Sequence, residues 1–401
     1  MTSIRNIRFL AALCVVLAIG AGPAASAAGP FTIDVILSMT GSYAFVGSAD
    51  AQGLKVFEDY ANRHGGLRGQ PIRFDVHDDQ SSPQIAVQLS QTLVARHPAV
   101  VLGSNGGSLC SAMMPNYKDG PVMYCLVPSI YPQRGGYVFA TQVALDPFVN
   151  GMIRYLQLRG WTRLAIVSST DGSGQVDDVS TANVLKYPEN RNVQIVDWEH
   201  FNPADINITA QATHVKGSNA QAIVVWSAGT AFGTVLRGLS DAGVTLPVET
   251  TNANMHAAQL AQYLSFYPKE LVMPGVPYLV PNLPANSPLR APIAEFFAAF
   301  KAANVKPEPG SAPFIWDAAS IVLSGLRKLG PTATATELKN YILGLRNFAG
   351  IDGVYDFSRG DAHGLSDQSV VMASWNTKTQ EFYAVSGMGG VPLKAAALTA
   401  P

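Results

Sequence analysis

Residues 32–61 read TIDVILSMTGSYAFVGSADAQGLKVFEDYA, a segment that predicts a strand, a glycine-bearing loop and a helix. Thr32–Leu37 is a short apolar run, as expected of a buried strand. After the loop, we place the helix N-cap at Ser48 with Asp50 in the first turn, because apolar residues then recur at helical spacing at Ala51, Leu54, Phe57 and Ala61. A strand followed by an amphipathic helix is the repeating unit of a parallel α/β sheet.

This alternation continues along the chain, pauses between residues 130 and 146, and then resumes. Further strands are predicted at 71–76, 99–102, 122–126, 164–168, 193–198, 222–225, 247–249 and 271–277. Helices are predicted at 83–95, 111–117, 148–158, 175–185, 208–215 and 231–242, and within 290–303, 313–329 and 336–345. A terminal β-hairpin is predicted at 370–375 and 382–385. Two runs of the alternation predict an α/β protein with two doubly wound, parallel-sheet lobes.

The N-terminus has the order of parts that a secretory signal peptide shows. Arg5 and Arg8 precede the apolar run Phe9–Ile19, and the small residues Ala25-Ser26-Ala27 follow it. The run is shorter than the roughly 20 apolar residues that cross a bilayer. We therefore expect residues 1–27 to be a cleaved signal peptide and the rest of the chain to be a soluble periplasmic protein. A lipoprotein is the weaker alternative.

Composition and motifs argue against several classes of protein. The 27 basic and 28 acidic residues nearly balance, so no surface for nucleic acid or another polyanion is expected. No phosphate-binding loop with its lysine, no Gly-x-Ser-x-Gly elbow and no His-Glu-x-x-His motif occurs in the sequence. The pair Asp78-Asp79 follows a predicted strand, where acids usually cap the next helix or are solvated. We therefore predict a protein that is not an enzyme and that needs no metal or cofactor.

Small polar and aromatic residues are concentrated in the loops that follow the predicted strands. In open parallel sheets, ligands bind at these carboxyl ends. Hydroxyls and amides beside helix N-termini suit a carboxylate, because the N–H dipoles there already favour negative charge. Each residue taken alone could simply cap a helix, but their occurrence in both lobes favours a binding site. The loop residues are Ser42, Tyr43, Phe45, Ser104, Asn105, Ser108, Ser111, Ser129, Tyr131, Ser169, Thr170, Asp171, Ser173, Ser227, Gly229, Thr230, Thr251, Asn252 and Asn254.

Several segments spread along the chain form a further pattern: Thr40-Gly41…Ala44…Gly47, Gly65-Gly66-Leu67-Arg68-Gly69-Gln70, Asp78-Asp79…Pro83…Ala86, Gly103, Leu109-Cys110-Ser111, Pro132-Gln133-Arg134-Gly135 and Leu236-Arg237…Ala242-Gly243. In these segments the chain resembles the periplasmic leucine/isoleucine/valine-binding proteins, the branched-chain-amino-acid-type receptors of ABC transporters. The resemblance implies a type I periplasmic binding fold, with a three-segment hinge and a ligand cleft between the lobes. It also implies lobes of residues 30–143 plus 272–352 and 144–271 plus 353–391. The implied partner of the monomer is an ABC transporter permease and ATPase complex.

The resemblance also implies roles for individual residues. Ser111 matches the position that holds the ligand's carboxylate, and Ser129 and Tyr131 lie in the loop that completes this carboxylate site. Phe45 and Phe314 lie near positions that wall the side-chain pocket. Together with residues of the second-lobe loops, the predicted ligand-binding set is Phe45, Ser111, Ser129, Tyr131, Ser169, Gly229, Thr230, Asn252 and Phe314.

One departure from the family bears on the ligand. Members that bind amino acids commonly place an acid in the loop that here reads Thr250-Thr251-Asn252-Ala253-Asn254, where the acid neutralises the ligand's ammonium. Because Asn252 carries no charge, we expect a small organic carboxylate or amide, including aromatic ones, rather than a free branched-chain amino acid. An acid elsewhere in the cleft, such as Asp171, would weaken this argument.

Two cysteines remain after the predicted cleavage, Cys110 and Cys125. In an oxidising compartment such a pair is a disulfide candidate, and two buried free thiols are the alternative. In the leucine-binding branch of the family, the cysteine that matches Cys110 pairs with an earlier cysteine near Ser81. That cysteine is missing here, so the resemblance implies Cys125 as the partner if a bridge exists.

These inferences favour an extracytoplasmic solute-binding protein of an ABC importer. A ligand-sensing receptor subunit of the same fold and a hydrolase that acts in the cleft are the alternatives. Neighbouring permease and ATPase genes would favour import, and a turnover screen would reveal a hydrolase.

Overall fold

The computed structural model describes residues 29–281 and 283–393, so the predicted signal peptide, residues 1–27, lies outside the described residues. Within those two ranges, no helix combines the length and the apolar composition that crossing a bilayer requires. The chain forms two α/β lobes, each built on its own predominantly parallel sheet.

The first lobe is built on a five-stranded parallel sheet. Its strands are β1 (Phe31–Leu37), β2 (Ile72–Asp78), β3 (Val100–Leu102), β4 (Val122–Cys125) and β5 (Val138–Ala140). Their order in the sheet is β2-β1-β3-β4-β5. Every residue of β3, β4 and β5 is buried, as expected when helices cover both faces of a parallel sheet. The sequence analysis did not predict β5, a three-residue strand inside the pause between residues 130 and 146.

Three helices follow β1, β2 and β3: α1 (Ala44–Arg63), α2 (Pro83–Val94) and α3 (Gly107–Met113). The predicted N-cap Ser48 and predicted start Ser111 are wrong, because α1 begins at Ala44 and α3 begins at Gly107. In both cases glycine lies inside the first turn, where the sequence analysis interpreted it as loop. A Cβ on Gly47 would lie 2.1 Å from the carbonyl oxygen of Ser38, so only glycine lets α1 begin against the end of β1.

The second lobe begins with α4 (Leu145–Leu158) and continues as an alternation of strands and helices. The strands are β6 (Arg163–Ser169), β7 (Gln194–Phe201), β8 (Ala222–Trp226), β9 (Val248–Thr250) and β10 (Leu271–Gly275). The helices between them are α5 (Gly172–Val184), α6 (Thr209–Gly217), α7 (Gly229–Asp241) and α8 (Ala257–Ala261). Every residue of β8 is buried, and so is every residue of β6 after Arg163.

After β10 the chain returns to the first lobe with α9 (Arg290–Ala302), α10 (Ala312–Leu329) and α11 (Ala335–Gly344). α10 packs against α1 and α11, and the rings of Trp316 and Phe57 meet edge to face with 4.9 Å between their centroids. A small ladder of β11 (Phe348–Ala349) and β12 (Val354–Tyr355) precedes the hairpin of β13 (Val371–Asn376) and β14 (Glu381–Ala384).

The second sheet has the order β14-β13-β10-β9-β8-β6-β7, with the hairpin antiparallel to β10 at one edge. The chain therefore passes between the two sheets three times, after β5, after β10 and before β13. The expected lobe boundary at residues 271 and 272 falls inside β10, whose pairing with β9 and β13 moves this boundary to beyond Gly275. The rest of the proposed division rests on the family resemblance.

A disulfide joins Cys110 on α3 to Cys125 at the end of β4, with the two Cα atoms 6.3 Å apart. Both cysteines are fully buried in the apolar core between α3 and the five-stranded sheet. The bridge ties together the two segments of the first lobe that carry residues 106–107 and 126–129 into the cleft described below.

Candidate ligand-binding cleft

A cavity lies between the two lobes at the carboxyl ends of their parallel strands. It encloses about 540 Å³, including space that is open to solvent. The first lobe and the first crossover line it with Tyr43, Val46, Asn105, Gly106, Gly107, Leu126, Val127, Pro128, Ser129, Gln142 and Gly310. The second lobe lines it with Ser169, Ser173, Gly174, Asp177, Trp226, Ser227, Ala228, Thr251, Asn252 and Ala253. None of the described residues that line it is a lysine, an arginine or a histidine.

Asn105 lines the cavity from the loop after β3. Its Oδ1 accepts hydrogen bonds from the backbone N–H of Ser38 (3.0 Å) and from Ser104 Oγ (3.2 Å). Its Nδ2 has no partner among the described residues, although the residue is only 2% exposed. A buried amide N–H without a partner is unfavourable, so Asn105 is suited to donate to an oxygen atom of a ligand.

The acidic pair after β2 supports this loop. Asp79 accepts hydrogen bonds from Ser38 Oγ (2.6 Å) and Ser104 Oγ (2.7 Å). Asp78 accepts from both the backbone N–H (3.2 Å) and the side-chain hydroxyl (2.8 Å) of Thr40. The two acids therefore hold the loops after β1 and β3 in position and lie outside the cavity lining.

On the second lobe, the start of α5 and the end of β8 form the facing wall. Asp171 is the N-cap of α5, and its Oδ1 accepts hydrogen bonds from the backbone N–H of Gly174 (3.0 Å) and from Ser169 Oγ (2.8 Å). The indole Nε1 of Trp226 donates to Thr181 Oγ1 at 3.0 Å, which fixes the ring at the cavity wall. Asp171 is therefore occupied as a helix cap and does not line the cavity.

Asp177, which the sequence analysis did not consider, is the acid that does line the cavity. It is 8% exposed, and its carboxylate makes no hydrogen bond with any described residue. Burial raises the pKa of Asp177 well above its ordinary value, and the negative charges of Asp171 and Asp178 raise it further. Burial and the charge of Asp171 also raise the pKa of the Tyr43 hydroxyl, on the opposite wall.

Polar contacts join the lobes on both sides of the cavity. The backbone N–H of Ser108 donates to Ser173 Oγ at 3.0 Å, and the backbone N–H of Ala257 donates to Glu308 Oε2 at 3.1 Å. The Asn252 amide donates to Gln142 Oε1 on the first crossover. These contacts describe a closed arrangement of the two lobes.

A buried polar cluster lies in this interface beside the cavity. His256 of the second lobe has its Nε2 3.4 Å from Ser311 Oγ of the first lobe, and its Nδ1 has no partner among the residues that the structure describes. Burial lowers the pKa of His256 to about 4. Burial also raises the pKa of Asp50 on α1, while a hydrogen bond with Ser311 acts in the opposite direction.

The predicted ligand-binding residues divide into two groups. Ser129, Ser169 and Asn252 line the cavity, where the structure brings all three together. The other six lie outside its lining: Phe45, Ser111, Tyr131, Gly229, Thr230 and Phe314. Tyr131 is 49% exposed and donates a hydrogen bond of 2.8 Å to Asp146 Oδ1.

Small shifts along the chain explain part of this division. Tyr43 and Val46 line the cavity in place of Phe45, because α1 begins earlier than the sequence predicts. For the same reason, the start of α3 at Gly107 reaches the cavity and Ser111, one turn later, does not. Four lining residues lie outside the predicted loops: Leu126, Gln142, Asp177 and Gly310. A signal for Asp177 is its position on the same helical face as Ser173, four residues earlier.

One group of metal-ligating side chains occurs among the described residues, on β1 and β2 and outside the cavity lining. His77 Nε2 is 2.8 Å from Asp34 Oδ1 and 4.0 Å from Asp75 Oδ2. The guanidinium of Arg96 lies 3.8 Å from the same Asp34 oxygen. Because a cation of the protein already faces these acids, we interpret the group as an ion-pair network.

Comparisons with known proteins identify the family to which this architecture belongs. The family model described as periplasmic binding protein matches residues 30–380. Among curated proteins, none matches the chain significantly. Three solved structures have the same fold at 18–20% sequence identity. The matched region covers 99% of each of those three chains.

The first of these is a type 1 periplasmic binding protein of Bordetella pertussis (20% identity, 88% of this chain, TM-score 0.72). The second is the branched-chain amino acid transporter substrate-binding protein LivJ of Streptococcus pneumoniae, in complex with isoleucine (18%, 89%, TM-score 0.71). The third is an ABC transporter solute-binding protein of R. palustris, in complex with benzoate (18%, 92%, TM-score 0.73). With the family model spanning both lobes and the cleft between them, the chain belongs to the periplasmic binding protein family.

Proposed function

We propose that this chain is the extracytoplasmic solute-binding protein of an ABC importer, and that its lobes close on a small organic solute with a carboxylate or an amide group. The observation that carries the proposal is the interlobe cavity, whose first-lobe wall offers neutral hydrogen-bond donors. Asn105 Nδ2 is buried without a partner among the described residues, and Tyr43 and Ser129 line the same space. Such donors suit a carboxylate or carbonyl oxygen.

The two ligand complexes of the same fold support an oxygen-bearing solute. Isoleucine in LivJ and benzoate in the R. palustris protein both carry a carboxylate. The partner in this proposal is a permease and ATPase complex, and the chain acts as a monomer in the periplasm.

A hydrolase in the cleft has less support. The serine–histidine contact in the described part of the chain joins Ser311 and His256 at 3.4 Å, but no acid orients Nδ1 of that histidine. Nucleophile activation requires the base to be held by a third group, so this pair lacks the arrangement that a catalytic serine needs. Neither residue lines the cavity.

The test is to identify the solute and to measure its binding. Purified protein is denatured, and the released small molecules are identified by mass spectrometry. At 100 times its dissociation constant, the recovered solute should raise the unfolding free energy by about 2.7 kcal/mol, seen as a higher melting temperature. Asn105→Ala should weaken binding about 5-fold or more, because it removes one buried donor.

The matched control is Asn286→Ala, an exposed asparagine outside the cleft. It should leave binding unchanged. Uptake of the recovered solute by cells that lack the gene distinguishes import from sensing, since loss of a sensor leaves uptake intact. A protein that releases no solute and gains no stability from any organic acid, amide or amino acid contradicts the proposed function.

A further inference from the structure

A second enclosed space lies inside the second lobe, beside the cleft, and we call it the inner chamber. Apolar side chains of α4, β6, β7 and β8 form most of its lining, among them Met152 and Val224. Its polar residues are Thr181 of α5, Trp226 of β8 and Glu249 of β9. The chamber encloses about 250 Å³, including space that is open to solvent.

Trp226 separates the inner chamber from the cleft. Among the described residues, it is the one that lines both spaces. Its Nε1 donates to Thr181 Oγ1 at 3.0 Å, and Thr181 Oγ1 donates to the backbone oxygen of Asp177 at 2.8 Å. Asp177 lines the cleft, and Thr181, one turn later on α5, lines the chamber. The indole ring is therefore a partition that a hydrogen bond holds in place.

The inner chamber contains a carboxyl group that has no hydrogen-bond partner. Glu249 is 1% exposed, and neither of its side-chain oxygens has a partner among the described residues. No lysine, arginine or histidine of the described chain lines the chamber. Burial raises the pKa of Glu249 well above its ordinary value, so the carboxyl is neutral and has an O–H to donate. A buried polar group without a partner is unfavourable, and an uncharged hydroxyl or amide would satisfy this one.

The positions of Asn105 and Trp226 connect the chamber with the choice of solute. Asn105, with its unpartnered Nδ2, lies on the first-lobe wall of the cleft, and Trp226 lies on the second-lobe wall. A solute whose carboxylate or amide oxygen binds Asn105 therefore extends towards the indole with its other end. While the ring stays in place, additional length buries no further apolar surface.

We propose that Trp226 determines the length of solute that the protein accepts, because its indole closes the cleft off from the inner chamber and from Glu249. The wild-type protein accepts short solutes. Without the indole, the cleft and the chamber form one space that takes a longer apolar chain, with a hydroxyl or amide at its end beside Glu249. This inference rests on the proposed function and names a specificity-determining residue within it.

The experiment uses straight-chain carboxylates as probes, namely butanoate, hexanoate, octanoate and 8-hydroxyoctanoate, with binding measured by calorimetry. The wild-type protein should bind octanoate no more tightly than hexanoate. Trp226→Leu should bind octanoate about 10-fold more tightly than hexanoate, because each newly buried methylene strengthens binding about 4-fold. Trp226→Ala should show the same reversal if it folds. Trp226→Leu leaves a smaller hole and is the variant on which the conclusion depends.

A double variant tests the part of Glu249. Methionine resembles glutamate in length but donates no hydrogen bond, so Trp226→Leu/Glu249→Met keeps the space and removes the donor. The affinity ratio of 8-hydroxyoctanoate to octanoate should fall about 5-fold from Trp226→Leu to the double variant. The matched control is Trp161→Leu. Trp161 lines neither space, and the guanidinium of Arg159 lies 4.2 Å from its ring centroid. This control should keep the wild-type order of the probes.

Three results would overturn the inference while leaving the proposed function intact. The first is a solute recovered from the wild-type protein that is longer than octanoate. The second is a wild-type order of the probes in a folded Trp226→Leu protein, whose cooperative melting shows that it is folded. The third is a recovered solute together with no binding of any probe to the wild type or the variants. If no probe binds and no solute is recovered, the proposed function and this inference both fail.

Discussion

The backbone N–H of Ser108 donates a 3.0 Å hydrogen bond to Oγ of Ser173, which joins the start of α3 on one lobe to the start of α5 on the other. One turn after Ser173, Asp177 enters the cavity. One of the contacts that join the lobes and the acid that lines the cavity therefore lie on the same helix. We expect this arrangement to couple closure of the lobes to occupation of the cleft.

Closure should depend on the Ser108–Ser173 hydrogen bond. Ser173→Ala leaves the Ser108 N–H without its partner, which should destabilise the closed form by about 1 kcal/mol. Solute binding should then weaken about 5-fold, because ligand shifts the open–closed equilibrium only by its differential affinity. Calorimetry of Ser173→Ala beside Ser265→Ala, an exposed serine, tests this. Equal affinities of the two variants would contradict the role of the contact.

Ligand-driven closure itself is measurable by X-ray scattering. Saturating the solute-free protein with the recovered solute should reduce its radius of gyration, because the cavity walls come from both lobes. An unchanged radius would count against hinge closure.

Gly229 should be needed for the lobes to meet. It has φ +65°, and a Cβ added there would lie 2.1 Å from the carbonyl oxygen of Ser42 on the other lobe. Gly229→Ala should therefore hold the cleft open, weaken solute binding at least about 10-fold, a loss of about 1.4 kcal/mol, and prevent compaction in scattering experiments.

The matched control is Gly160→Ala. Gly160 also has positive φ, +81°, but nothing lies within 4 Å of its added Cβ. Both variants carry backbone strain of roughly 1–2 kcal/mol, so both should melt at a lower temperature. Only Gly229→Ala should lose binding; similar losses in both variants would show that strain, and not the interlobe contact, is responsible.

The Cys110–Cys125 bridge should stabilise the first lobe. Thiol counting on the unfolded, unreduced mature protein should find no free thiol. The double variant Cys110→Ala/Cys125→Ala should lose about 3 kcal/mol of unfolding free energy, since the bridge closes a loop with a sequence separation of 15. Denaturant unfolding with and without reductant measures this. Two free thiols in the native protein would contradict the predicted disulfide.

His256 should make stability depend on pH. Its pKa is lowered to about 4 in the closed structure, below the ordinary 6.5, so the folded protein favours the neutral ring. The stability that this histidine contributes is therefore complete above pH 6.5 and is lost as pH falls from 6.5 towards 4. The loss amounts to roughly 3 kcal/mol at most.

A variant pair isolates this contribution. Burial raises the pKa of Asp50, so this acid acts with the opposite sign, and it does so in the wild type and the variants alike. The unfolding free energy of His256→Asn should fall less steeply between pH 6.5 and 4 than that of the wild type. His97→Asn, a change at an exposed position, should keep the wild-type slope. Identical slopes for the two variants would refute the assignment.

Much of the fold was predictable because periodicity reports local burial. The predicted strand at 222–225 and helix at 83–95 agree with β8 and α2 to within one residue at each end. The prediction failed where glycine lies inside a helix. Gly47 and Gly107 are in contact with Ser38 and Ser129, and a sequence read locally cannot show that a neighbouring loop excludes a Cβ.

The cleft was predictable only in part. Loops at the carboxyl ends of strands were a sound guide, since Tyr43, Asn105 and Ser173 come from them and line the cavity. Asp177 was missed because it lies inside a helix, where an acid usually faces solvent. Whether a helical acid is buried depends on what packs against that face, which here is the opposite lobe.

By itself, the sequence determined that two runs of alternating strands and helices form two α/β lobes with polar loops at one end, because hydrophobic spacing and turn residues act over short distances. Only the tertiary structure decided which loops meet and which acid lies among them. Gln142 and Asn252 are 110 residues apart and touch only because the chain crosses between sheets. The position of Asp177 in the cleft follows from that long-range packing.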